Sequence, residues 1–161
     1  MDLNQHKRRL HVLILGPYRP KSQLRRLEVL RDCLTARNFE GTNLVKNFPD
    51  REKFSDDVDE HFTKKSRFCI NSWAHVPMFV FFKVADNLGV NTELIYTCAN
   101  LPDKGKHAVV FFEKGLNISS QVKGSIKIAR ISYETFDNDK ELCDLAFGHC
   151  LKILDRLFYY V

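Results

Sequence analysis

The apolar positions of the chain fall into short runs and helix-spaced stripes separated by polar stretches. His11–Gly16 (HVLILG) is a near-continuous apolar run closed by Gly-Pro, the pattern of a strand buried on both faces of a parallel sheet. Leu24, Leu27, Leu30 and Leu34 recur at helical spacing behind Ser22, a residue type that caps helices, and predict a helix over 22–37. Gly41 breaks it, and a second strand is expected over 42–48. Residues 50–65 are polar, with Phe54, Val58 and Phe62 four apart and acids ahead of Lys64 and Lys65. That order suits the helix dipole and predicts a surface helix over 54–65. RFCINS at 67–72 reads as a third strand.

Pro77 then opens PMFVFFKVADNLG and Gly89 closes it, the proline-first, glycine-last asymmetry of a helix, here apolar almost all round and so buried. Strands are expected over 92–98 and 107–113, with LPDKGK as the turn between them. A short helix over 119–123 and a last strand over 125–133 follow. Asn138 and Glu141 have capping-box spacing, and Leu142, Leu145, Ala146, His149, Cys150, Ile153, Leu154 and Leu157 continue at i, i+3, i+4. This is an amphipathic C-terminal helix of about 20 residues. Alternating strands and helices predict an α/β three-layer sandwich, flavodoxin- or Rossmann-like, around a mostly parallel sheet of five to six strands. With 161 residues, no repeat and no linker, a single domain over 1–161 is expected, residues 1–10 forming a basic N-terminal arm.

Charge sharpens this picture. The net +5 is uneven: residues 1–26 hold seven Lys or Arg and one acid, Asp2, leaving 18 basic and 19 acidic groups for the rest. A uniformly basic nucleic-acid surface is thereby disfavoured, and a local anion site is favoured. No apolar run approaches the roughly 18–20 residues of a membrane span, and the N-terminus lacks a signal-peptide pattern. Five cysteines without close pairing read as buried reduced thiols, with a cytoplasmic location as the expectation.

Four groups of residues carry candidate chemistry. Ligands of open α/β sheets bind beyond the C-terminal strand ends, where helix N-termini offer free N–H groups. The loop after the first strand supplies Gly16, Tyr18, Arg19, Lys21 and Ser22 there, which points to a nucleotide or other phosphate-bearing small molecule. It lacks the GxGxxG and GxxxxGK[ST] patterns. The segment after the expected third strand adds Asn71, Ser72 and His75 as hydrogen-bonding groups and Trp73 as a stacking surface. Packing and helix capping compete with that reading. His149, Cys150 and Cys143 lack metal-ligand spacing, so no metal and no cofactor is expected. Glu93, Glu113, Asp86 and Asp103 are lone carboxylates, each able to act only if its surroundings shift or orient it.

LILGPYRP resembles the GP-aromatic loop that opens nucleoside 2-deoxyribosyltransferase-like proteins, and RFCINSWAH followed by a helix ending in LG resembles their central region. VVFFEKGLNISSQVKG resembles a later segment of TIR-like relatives. The resemblance implies a glutamate nucleophile on the central helix, about eight residues before its closing glycine. Counting back from Gly89 puts Phe81 there, and a phenylalanine forms no glycosyl intermediate. The expectation is therefore a nucleotide- or nucleoside-binding domain that does not work by the family's mechanism. Two alternatives stand beside it. One is an enzyme cleaving N-glycosides of nucleosides or NAD through a displaced carboxylate, Glu93 or Glu113. The other is a protein or nucleic-acid interaction module using Lys7, Arg8 and Arg9, or a homodimer built on the apolar Phe81–Phe82 segment and the LFYYV terminus.

Overall fold

A computed structural model describes residues 2–50 and 56–158. Five strands, β1 (Val12–Leu15), β2 (Thr42–Leu44), β3 (Val76–Phe81), β4 (Val109–Glu113) and β5 (Ser132–Phe136), form one parallel sheet in the order β2-β1-β3-β4-β5. The helices are α1 (Leu3–Arg9), α2 (Lys21–Ala36), α3 (Val58–Phe68), α4 (Leu88–Asn100), α5 (Pro102–Gly105), α6 (Ser120–Ala129) and α7 (Asp139–Phe158). Alternate strand residues face opposite layers. Val12, Ile14, Met78, Val80 and Phe111 pack with α2 and α7, while Leu13, Leu15, Phe79, Val110 and Phe112 pack with α4 and α6. Both faces of the central strands are dry, which is why those strands read as unbroken apolar runs. The expected three-layer α/β architecture is the one found, with five strands. Among the described residues no helix is long and apolar enough to cross a membrane.

The middle of the chain departs from the expectation, and each departure has a physical reason. The helix expected over 77–89 is strand β3, buried at all six positions. Pro77 is tolerated because pairing with β4 begins only at Met78, opposite Val109, so no ladder donor is lost. The strand expected over 92–98 belongs to α4, whose Val90, Leu94 and Thr97 are buried at helical spacing. Thr92 and Thr97 turn their hydroxyls onto the carbonyls of Leu88 and Glu93, so these β-branched residues bond within the helix. The strand expected over 67–72 is the end of α3 and a wide turn, Cys69–Trp73, closed by the Ala74 N–H on the Cys69 carbonyl.

Smaller shifts follow. The second strand stops at Leu44, where a 3-10 turn, Val45–Asn47, takes over. LPDKGK is largely the short helix α5. Helix α6 runs to Ala129 instead of 123, capped by the Ser119 hydroxyl and ended by Arg130 at φ +55°, which moves the last strand to 132–136. Pro20, not Ser22, is the N-cap of α2. Asn138 does cap α7, accepting the Glu141 N–H at 2.9 Å. Positions 54 and 55 of the helix expected over 54–65, and the last three residues of LFYYV, lie outside the described residues. The stretch expected as a basic arm is helix α1, held by Lys7 over the rings of Phe39 and Phe147 and by Arg8 on Glu40 at 3.2 Å. Cys33 on α2 and Cys143 on α7, expected as separate reduced thiols, lie side by side with their Cα atoms 6.4 Å apart, within reach of a disulfide; Cys69, Cys98 and Cys150 are free.

Candidate active site

In the strand order β2-β1-β3 the chain leaves β1 toward one side and β3 toward the other, which opens a crevice at their C-terminal ends. A cavity of about 490 Å³ lies there, walled by Gly16–Arg19, Val45–Lys46, α3 and the start of α4. Gly16 has to be a glycine. A Cβ on it would stand 2.7 Å from Leu27 Cδ2 and 3.2 Å from the Val80 carbonyl. With no side chain, the backbone passes close over α2 and β3 and carries Pro17, Tyr18 and Arg19 to the cavity wall.

Helix α4 is fixed to this wall at its start. Asn87 Nδ2 donates to the Phe82 carbonyl at 2.8 Å, the Asp86 N–H donates to the Arg19 carbonyl at 3.2 Å, and Asp86 Oδ1 accepts the Leu88 N–H at 3.1 Å. The first turns of α4 therefore run along the cavity and present Gly89, Val90 and Glu93 to it. A second cavity, of about 470 Å³, lies between α3 and α4 and shares Glu93, Ser66, Phe62, Asp59 and Asp86 with the first.

Glu93 is the chemically distinctive group of this cavity. It is half-buried, and burial pushes its carboxyl up to about 7, while the nearby Ser66 hydroxyl acts in the other direction. A carboxyl poised near neutrality in a cleft is suited to act as nucleophile or base. Tyr18 is also half-buried and pushed up to about 12, chiefly by burial; its oxygen accepts the Lys46 N–H at 3.3 Å. Lys46 Nζ lies 3.4 Å from Glu28, and Arg19 is exposed at the rim. The wall thus carries one neutral-range carboxyl, one phenol and two cations.

Of the residues expected to bind ligand, Gly16, Tyr18 and Arg19 line the cavity. Lys21 and Ser22 sit in the first turn of α2 and do not line it. Asn71 and Ser72 lie in the turn ahead of β3, and His75 directly precedes that strand, so all three stand at the opposite, N-terminal end of the sheet. There His75 Nδ1 accepts the His11 N–H at 2.9 Å, and the His11 ring stacks on Trp73 and on His75. The expected third strand over 67–72 would have put them at the other end of the sheet; its absence accounts for their distance from this cavity. Phe81 lies at the end of β3, is 5% exposed and packs on Phe112; it faces the core. Glu113 is held by Arg26 at 2.9 Å and accepts the Lys83 N–H, outside the cavity. Ser66, Asp59 and Lys46 carry no chemical signal in the sequence, and Phe62 enters there only through its helical spacing. Glu93 stands among the lone carboxylates of the sequence; a helical reading of Val90, Leu94 and Thr97 is the signal that puts it on a helix at this cavity.

Among solved structures the chain is similar to a Clostridium botulinum CMP N-glycosidase, BcmB, with a TM-score of 0.58 and 17% identity over 84% of this chain and 96% of that one. At that identity the likeness establishes a shared fold. No protein-family model matches the sequence. No curated protein is similar to it either.

Proposed function

We propose that this protein hydrolyses an N-glycosidic bond of a nucleotide, with Glu93 as the nucleophile. The observation that carries the reading is Glu93 itself, held near neutral pKa on the helix after β3 and facing the Gly16–Arg19 loop across the cavity. The resemblance to nucleoside 2-deoxyribosyltransferase-like proteins implies a glutamate on the central helix. That helix is α4, not the segment before Gly89, so the reason for excluding the family's chemistry falls away. The fold shared with a CMP N-glycosidase supports the same reading.

The ionised Glu93 oxygen attacks the anomeric carbon, and the carbon–nitrogen bond breaks with its electron pair leaving on the base, which takes a proton from water. Water then attacks the glycosyl ester at the same carbon and loses a proton, and the carboxylate is restored. One water is consumed, and free base and sugar are released. Half-burial of Glu93 strengthens its interaction with a developing positive charge at the sugar. Arg19 and Lys46 favour a substrate with a phosphate at its sugar end.

Chromatographic detection of free base from a panel of nucleosides and nucleoside monophosphates tests the reading. Monophosphates should be the better substrates, and Glu93→Gln should lower the rate by roughly a thousandfold or more. Release of base from none of the panel, or an unaffected Glu93→Gln variant, overturns it.

A further inference from the structure

The two cavities meet at Glu93, and Asp59, Phe62 and Asp86 also line both. From there the first extends toward Arg19 and Lys46, and the second, between α3 and α4, toward Thr63, Arg67 and Thr92. A nucleotide attacked at its anomeric carbon has the same two-ended shape, with sugar and phosphate on one side of that carbon and the base on the other. Arg19 and Lys46 suit the phosphate end, which leaves the cavity between α3 and α4 to the base.

The side chains of this second cavity match a flat heterocycle. Phe62 leaves 54% of its surface to solvent beside Glu93, an aromatic face on which a base can stack. The Arg67 guanidinium carbon lies 4.5 Å from the centre of the Tyr96 ring, so a group on α3 is steadied by a ring on α4, and its N–H groups can only donate. Thr63 Oγ1 donates to the Asp59 carbonyl at 3.0 Å, and Thr92 Oγ1 donates to the Leu88 carbonyl at 2.9 Å. Each hydroxyl has committed its one proton to its own helix and offers a ligand only lone pairs.

We propose that the cavity between α3 and α4 is the base subsite: Phe62 stacks the base, and Arg67, Thr63 and Thr92 select cytosine and adenine over their oxo counterparts, uracil and hypoxanthine. This rests on the N-glycosidase reading above. In cytosine and adenine an exocyclic amino group donates to a threonine oxygen, and the adjacent ring nitrogen accepts from Arg67. In the oxo bases a carbonyl oxygen faces the threonine lone pairs, and the same ring nitrogen turns an N–H toward the guanidinium. Both contacts are then lost, and the groups of the site are left unpaired.

The test is base release from the monophosphates of cytidine, uridine, adenosine and inosine, compared as kcat/KM. The wild type should favour the cytidine over the uridine nucleotide, and the adenosine over the inosine nucleotide, by about tenfold or more. Thr63→Val combined with Thr92→Val should bring both ratios close to one, while Thr63→Ser combined with Thr92→Ser keeps the hydroxyls and should keep the ratios. Arg67→Met should lower both ratios and leave the preference for monophosphates over nucleosides intact. Phe62→Ala should raise KM for all four substrates by roughly tenfold with kcat little changed. Equal or reversed ratios in an active wild type overturn this proposal alone. So does an Arg67→Met variant that loses the monophosphate preference, which would put the phosphate in this cavity. A wild-type protein that releases base from no nucleotide overturns the glycosidase reading, and this proposal with it.

Discussion

Arg26 Nη1 lies 2.9 Å from Glu113 Oε2, and its Nη2 lies 2.8 Å from Asp139 on α7, with the guanidinium 4.0 Å from the centre of the Phe82 ring. One side chain thus joins α2, the end of β4 and the start of α7 at the upper edge of the sheet. Arg26 and Glu113 keep 22% and 19% side-chain exposure, so their charges are only partly screened. Burial raises the Glu113 carboxyl, but the Arg26 hydrogen bond and the Lys83 N–H outweigh it, and the net shift is downward.

Glu113→Gln should therefore leave base release unchanged while lowering stability at pH 7 by about 1–2 kcal/mol. A carboxyl whose folded pKa is depressed stabilises above its unfolded value near 4 and loses that contribution as pH falls through the folded one. Urea denaturation of wild type and variant should show the two curves converging at low pH. A variant that loses activity with its stability intact would return Glu113 to the reaction.

His149 gives a pH signature of the same sign in a higher, mildly acidic window. It is 9% exposed on α7, bonds the His107 carbonyl through Nε2 at 2.9 Å, and is pushed down to about 4, mainly by burial. His75 is shifted down as well, first by burial and then by His11. In the unfolded chain both take a proton near pH 6.5, whereas the folded protein keeps them neutral. Stability is then full above that pH and falls as pH drops toward 4, with His149 alone accounting for as much as roughly 3 kcal/mol. His149→Gln should flatten the slope between pH 6.5 and 4 in denaturation midpoints. An unchanged slope would mean that the folded protein protonates His149 without penalty.

These groups also mark how far the sequence could be read. The runs of β1 and β4 and the stripes of α2 and α7 are unambiguous because each has one period, clean boundaries and little competing chemistry. They suffice for the three-layer sandwich. Between residues 67 and 100 two signals compete. Pro77 and Gly89 mimic helix punctuation around a strand, and Thr92, Ile95, Tyr96 and Thr97 lend β-propensity to a helix. The register that makes Pro77 harmless depends on where β4 begins, more than thirty residues away, and no local pattern carries it. The consequence was functional as well as structural: moving the helix by one element replaced Phe81 with Glu93 at the place where the chemistry is expected.

Cys33 on α2 and Cys143 on α7 stand within disulfide reach of each other across 110 positions of chain. Oxidation of the pair closes that long loop, lowers the entropy of the unfolded state and should stabilise by about 2–4 kcal/mol. Oxidised protein should melt several degrees higher than protein kept in dithiothreitol, and Cys33→Ser should melt at the reduced value under both conditions. The pair lies between α2 and α7, on the face of the sheet away from α3 and α4, so base release should change little. Equal melting temperatures with and without reductant would show that the two thiols are not joined in solution.

Two glycines separate what the cavity needs from what the fold tolerates. At Gly16 an added Cβ meets both Leu27 methyls within 3 Å and the Val80 carbonyl at 3.2 Å; the leucine can shift, but a backbone carbonyl of β3 cannot without moving the strand. The loop itself must then rise, and it carries Tyr18 and Arg19 with it. Gly16→Ala should weaken nucleotide binding, seen as a KM raised by roughly tenfold, and cost about 1–3 kcal/mol of stability. Gly124, inside α6, meets nothing within 4 Å. There alanine only removes unfolded-state freedom and improves helix propensity, so Gly124→Ala should stabilise by about 0.5–1 kcal/mol with KM unchanged. Melting temperatures and KM measured together on the two variants give the check. A Gly16→Ala variant that loses stability but binds normally would place the ligand away from the β1 loop.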